Sequence, residues 1–234
     1  VVSNWTIKKM KKAYALTPGK PIFFYVSPSS IHSPHMPAPR HLNDARCTNI
    51  QPWKPANYNE ADVSDKPKYV RDLALDPNVQ GYNIKTQCEM MLSVDDMVGK
   101  IANELTLQGK LDNTIFILTA DNGHAFKEHR LPGKTTPYHT AVPLYISWPA
   151  GGGITPKTDE TVLSNIDIAP TLCELGGCVM GPYPNGQTKS DGISFASLLK
   201  NQAYPLYRDA ILESQPIAPE GAGPSTRPPW WALR

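Results

Sequence analysis

Charge of one sign is scarce in this chain, and that scarcity removes the first function class. Across 234 residues, Lys and Arg number 23 and Asp and Glu 21, which leaves a formal net charge of +2. So balanced a chain carries no electrostatic footprint for nucleic acid, and its one basic cluster is Lys8–Lys12. No apolar run approaches the ~18–20 residues of a membrane-spanning helix, so no membrane span is expected. Cysteine is sparse too. Cys47, Cys88, Cys173 and Cys178 are too few for a disulfide framework and lack zinc-finger spacing. Cys173 and Cys178 lie near enough to pair, but spacing leaves that open. An initiator methionine is missing, as is a leader with a basic start, an apolar stretch and a small-residue cleavage site. The chain is therefore expected to be an internal piece of a longer protein.

Proline is what abounds. The 24 prolines are roughly twice the usual share, which implies much ordered loop. Hydrophobic residues at 40% and charged ones at 19% exclude disorder of the whole chain. The length suffices for one large α/β domain or two small ones. Asn4-Trp5-Thr6 is a glycosylation acceptor triplet. With the cysteines, it points towards an oxidising compartment: secreted, periplasmic or lysosomal.

Along the chain, 1–15 has helical spacing, and Thr17-Pro18-Gly19 breaks it. Ile22–Val26 is a continuous apolar run, as expected of a strand buried on both faces. A long polar loop then runs from Ser27 to about Gln80. From Ile84 to Gln108, Met91, Val94, Val98, Ile101 and Leu105 define an amphipathic helix. Further strands are expected at 114–119 and 142–147, with short helices at 167–175 and 191–199. The main domain is expected over 1–213, with a Pro/Gly-rich loop over 214–234. This order implies an α/β fold, a mostly parallel sheet sandwiched by helices. Ligands of such sheets sit beyond the carboxyl ends of the strands, which marks two polar clusters, Ser27–His41 and Asp121–His139.

Asp121-Asn122-Gly123 places a carboxylate beside an amide carbonyl, the oxygen donors that Ca²⁺ or Mg²⁺ prefers. The same triplet is also a common turn sequence. His32 and His35 flank Ser33-Pro34, and either imidazole could act as an acid near neutral pH; isolated loop histidines also serve as plain hydrogen-bonding residues. Lys134 follows Gly133 on a loop and could reach an anion as a compact point charge, although most loop lysines are simply solvated.

Taken together, the motifs resemble one family. Phe23-Phe24-Tyr25-Val26-Ser27 leading to His32-Ser33-Pro34, with Ala38-Pro39 beyond, resembles the histidine loop of type-I sulfatases. Leu92–Val98, Gly109–Thr114, Thr119–Gly123, Asn165–Leu172 and Asp191–Ser194 follow in the family's order. Within the family, the likeness is to N-acetylglucosamine-6-sulfatases and algal arylsulfatases.

The resemblance implies an alkaline-phosphatase-like fold and a calcium-dependent hydrolase of sulfate monoesters, acting on a sulfated small molecule or carbohydrate. Asp121 and Asn122 would be metal ligands, with Mg²⁺ as a second possibility. Lys134 would contact the sulfate, and His32 would help protonate the departing alcohol. His35 competes for that role because His35-Met36-Pro37 also resembles a variant of the motif. Asp95, Asp96 and Asp167 are expected to be structural. Sulfatases use a formylglycine made in a Cys/Ser-x-Pro/Ala-x-Arg setting, and none of the four cysteines has it. The formylglycine is therefore expected upstream, and the chain alone is expected to be inactive. Two rival readings stand beside this one: a phosphate mono- or diester hydrolase of the same superfamily, and a binding module that has lost its nucleophile. Oligomeric state is not legible.

Overall fold

The computed structural model describes residues 2–77, 84–134, 140–153, 155–182, 186, 190–202, 204, 209, 211–214 and 230–233. In chain order the elements are α1 (Val2–Leu16), α2 (Ala45–Thr48), α3 (Lys68–Arg71), α4 (Lys85–Leu107), β1 (Phe116–Thr119), β2 (Ala125–Phe126), β3 (Pro132–Gly133), β4 (Leu144–Ser147), α5 (Pro149–Gly152), α6 (Ile168–Gly176), α7 (Ala196–Leu199), β5 (Ile211–Ser214) and β6 (Trp230–Leu233). Single 3₁₀ turns lie at Pro39–His41 and Asn165–Asp167. Two compact units emerge. The first comprises Val1–Lys66, Leu73–Leu111 and Phe126–Leu131; the second comprises Pro67–Asp72, Asp112–Ala125 and Pro132–Arg234.

The first unit is built on α4. Met90, Val94, Met97, Ile101 and Leu105 recur at three- and four-residue steps and are all buried, and α1 packs against them through Met10. Burying each such side chain contributes about 1.5–3 kcal/mol. The expected stripe is corrected in two places. Met90 takes the inward position assigned to Met91, which is exposed, and Met97 that assigned to Val98. The helical turn of 100° per residue decides between neighbours. Two buried carboxylates lie on α4. Glu104 is paired with Lys11 at 3.2 Å, and Glu89 accepts the Asn43 N–H at 3.0 Å. A disulfide joins Cys47 to Cys88, a pairing the spacing did not suggest.

Ile22–Val26 forms no ladder among the described residues, contrary to expectation. Exposure alternates along it, with Phe23 72% and Tyr25 81% accessible. An apolar run is buried on both faces only where neighbouring strands flank it, and run composition alone cannot supply them.

In the second unit β1 pairs antiparallel with β4, placing Phe116 opposite Ser147 and Thr119 opposite Leu144. β5 and β6 are likewise antiparallel. Neither of these two ladders is parallel. Parallel pairing needs a crossover, usually a helix; here the chain between β1 and β4 holds the short pair β2–β3 instead. The expected loop over 214–234 is corrected at Trp230–Leu233, which is a strand. Cross-strand pairing with Ile211–Ser214 overrides the weak local signal there. The helix expected over 191–199 shortens to α7. α6 ends at Gly177, whose φ of +69° is the left-handed conformation that closes helices. Cys178 returns its N–H to the Cys173 carbonyl at 2.9 Å and forms a disulfide with the same residue.

Asp167 organises the joint between α6 and α7. Fully buried, it accepts the Ser164 N–H at 2.7 Å and the Ile193 N–H at 2.8 Å. Its carbonyl accepts the Thr171 hydroxyl, whose oxygen in turn accepts the Phe195 N–H at 2.9 Å. A buried carboxylate satisfied by two backbone donors is a structural device, as expected of this residue.

Candidate active site

The loop that carries the two histidines lies along α4. Ser30 donates its hydroxyl to the Met90 carbonyl, the Gln87 amide nitrogen is 3.5 Å from His35 Nε2, and the Cys47–Cys88 bridge follows. Between them, Asp96 receives Arg40 at 2.7 Å and His41 at 3.0 Å. Hydrogen bonds from Arg40 and then His41 hold its carboxyl below the usual aspartate range. The polar residues of α4 are thus a row of anchors for an otherwise irregular segment, which is how proline-rich sequence becomes ordered without regular structure.

His32 is exposed on this loop. Its Nδ1–H donates to the Ser33 carbonyl at 2.8 Å. That bond selects the tautomer: in the neutral ring Nε2 is left as an acceptor, and in the imidazolium it becomes a donor. Nε2 of His32 has no hydrogen bond among the described residues, whereas Nε2 of His35 lies beside Gln87.

Asp121 and Asn122 follow the carboxyl end of β1 and are exposed. Asp121 Oδ1 accepts the Asn122 N–H at 2.9 Å, and Asn122 Nδ2 donates to the Gly123 carbonyl at 3.0 Å. The other two side-chain oxygens, Asp121 Oδ2 and Asn122 Oδ1, have no such bond among the described residues. They suit a hard cation but fill two places of a shell of ~6–8. No cluster of three or more His, Cys, Asp or Glu able to hold a metal occurs among the described residues. Lys134 is exposed just after β3, where Gly133 turns the chain with φ +86°. Thus Asp121 and Asn122 are joined directly, Lys134 belongs to the same unit, and His32 and His35 belong to the other. His139 lies outside the described residues.

Sequence reasoning missed how the segment preceding Lys134 is secured. Lys127, His129 and Arg130 all adopt positive φ, a conformation costly for these residue types. Three anchors hold it. Arg130 donates to the carbonyls of Glu60, Ala61 and Leu73 at 2.8–2.9 Å. His129 Nδ1 donates to Glu60 at 2.6 Å while its Nε2 accepts the Asn57 amide. Buried Glu128 accepts the Trp53 indole at 3.1 Å and the Phe126 N–H. Lys127 adds an ion pair to Asp76. Phe126 apart, these partners lie about fifty to seventy-five residues away in sequence, so no local signal could have found them.

The family model for sulfatases matches residues 6–178. The chain belongs to the sulfatase family. It is 28% identical over 202 residues to an N-acetylglucosamine-6-sulfatase of Bos taurus, covering 82% of this chain and 34% of that protein. An arylsulfatase of Volvox carteri is 32% identical over 208 residues, covering 76% and 31%. The sulfatase chain described here therefore spans about a third of the length of these relatives. A protein solved in complex with its substrate D-glucosamine-2-N,6-O-disulfate superposes with a TM-score of 0.70 at 20% identity, over 100% of this chain and 58% of that one. This likeness shows the α/β, alkaline-phosphatase-like fold. Among the described residues no helix is long and apolar enough to cross a membrane.

Proposed function

We propose that this chain supplies the leaving-group and sulfate-recognition side of a sulfuric ester hydrolase acting on sulfated carbohydrates. The observation that carries the reading is the His32 ring, whose Nδ1–H is tied to a backbone carbonyl while Nε2 stays available. Protonated at that nitrogen, His32 donates to the ester oxygen as the S–O bond breaks. Lys134 meets the sulfate oxygens with a compact positive charge that needs no reorganisation as charge develops. His35, with Nε2 beside Gln87, is the less suited of the two histidines.

Asp121 and Asn122 would contribute oxygens to a calcium ion, with Mg²⁺ as the second choice. Such a cation supplies charge neutralisation to the sulfate group. The nucleophile is proposed to be a formylglycine lying outside these residues. Support comes from the four cysteines, which are all held in disulfides and so leave none as precursor. The same two disulfides support an oxidising compartment, secreted, periplasmic or lysosomal, where Asn4 on the exposed surface of α1 would accept a glycan in a eukaryote.

The test uses the protein isolated from its source, with a 6-sulfated glucosamine and an activated aryl sulfate as substrates. Lys134→Ala is expected to lower kcat for both by roughly 10²-fold or more. His32→Ala should cost far more with the sugar ester than with the aryl ester, because a good leaving group departs unprotonated. Equal losses on both esters would remove His32 from the acid role. Faster turnover of the matching aryl phosphate would move the enzyme to phosphate chemistry, and absence of turnover on any ester would leave the binding-module reading.

A further inference from the structure

We infer that the outward face of α1 is a docking strip for a sulfated polysaccharide chain. The inference takes the polymer's chemistry from the sulfate-ester reading above, and the strip itself from α1.

No acidic residue occurs before Asp44, while Lys8, Lys9, Lys11, Lys12 and Lys20 all do. All but Lys20 lie on α1, where the helix period sorts them. Ser3, Thr6 and Met10 turn inward and are buried. Trp5, Lys8, Lys9, Lys12 and Leu16 fall at steps of three, four and seven on the opposite side, and all are exposed. Lys11 is held by Glu104; Lys8, Lys9 and Lys12 have no carboxylate within 4.0 Å among the described residues. The strip from Trp5 to Leu16 runs ~16 Å along the helix axis, enough for several sugar residues.

Trp5 marks this face as more than a solvated one. It is 58% exposed, and Lys9 Nζ sits 5.3 Å from its ring centroid, a cation–π contact that holds the indole on the strip. A large exposed aromatic among unpaired cations is costly unless it meets a partner with both apolar and anionic parts. A sulfated glycan has both: C–H faces that stack on an indole, and sulfates that pair with ammonium groups. An anionic membrane fits less well. Insertion needs a continuous apolar face, and here Trp5 and Leu16 are interleaved with lysines while the inner face already packs against α4.

The native protein is assayed against immobilised heparin, unsulfated hyaluronan and phosphatidylserine vesicles. Heparin is expected to bind, with an affinity that falls with salt. The triple variant Lys8→Ala/Lys9→Ala/Lys12→Ala should weaken binding at least tenfold and reduce the log–log salt slope by about 2–3. Trp5→Ala should weaken it with the slope unchanged. Both variants keep the wild-type melting temperature and aryl sulfate turnover, since the replaced side chains face solvent. Aryl sulfate hydrolysis with no heparin binding, or an unchanged triple variant, overturns the strip and leaves the enzymatic reading standing. Heparin binding lost in the triple variant without turnover of any sulfate ester does the reverse. Equal retention on hyaluronan, tighter binding to vesicles, or a lowered melting temperature in the triple variant also overturns the strip; the last would mean that protein covers this face.

Discussion

The two disulfides provide a matched pair in which loop length is the main variable. Cys47–Cys88 closes a loop of 41 residues in the first unit, and Cys173–Cys178 one of 5 in the second. Each joins one buried cysteine, Cys47 or Cys173, to a more accessible partner, so replacing either pair by alanine removes a similar amount of packed sulfur. What differs is the freedom returned to the unfolded chain. The entropy of closure grows with the logarithm of loop length, so the long loop contributes about 4 kcal/mol and the short one about 2 kcal/mol. Cys47→Ala/Cys88→Ala should therefore cost roughly 2 kcal/mol more than Cys173→Ala/Cys178→Ala, about a thirtyfold larger shift in the unfolding constant. Urea titration followed by tryptophan fluorescence reads both units, through Trp5 and Trp53 in the first and Trp148, Trp230 and Trp231 in the second. Equal losses, or a larger loss from the short loop, would show that these bridges stabilise the native state by some means other than restricting the unfolded one.

Further outcomes follow from the same packing. Gly192→Ala would place a methyl 2.0 Å from the Ile166 carbonyl oxygen, against backbone that must move. It should destabilise by about 2–3 kcal/mol, and a change under about 0.5 kcal/mol in denaturant titration would contradict the packing described. Buried Glu104 has its carboxyl held below the ordinary value of 4.5 by Gln108 first and Lys11 second. A lowered folded value means that its contribution is complete at neutral pH and is lost as pH falls through that folded value. The melting-temperature gap between wild type and Glu104→Gln should be widest at pH 7 and shrink as the pH falls below 4.5; a gap independent of pH would refute the assignment.

Much of the scaffold was legible because it follows from neighbours along the chain. The recurrence that ends at Leu105 identified α4 nearly to its last turn, with errors of one position at Met91 and at Val98. Gly176-Gly177 marked the end of α6, and Thr114–Thr119 held a strand that runs into Asp121. The proposed site residues could be named one by one for the same reason: Asp121-Asn122, Lys134 and His32 stand in short motifs whose order survives in sequence. The family followed from that order.

What closes across long separations was not legible. Nothing local distinguishes Cys88 as the partner of Cys47, or Glu60 as the acceptor for His129, because such contacts depend on where distant loops return. Composition misled at Ile22–Val26, whose burial depends on strands that its own side chains cannot specify, and at Trp230–Leu233, where pairing with Ile211–Ser214 outweighed local propensity. Sequence by itself determined the long helices α1 and α4, the end of α6 and the family, while the short helices α2 and α3 inside the expected loop and α5 after β4 escaped it. Tertiary structure alone decided which carboxylates are anchors and which lysines of α1 have no carboxylate within 4.0 Å among the described residues, because each is settled by where residues distant in sequence return.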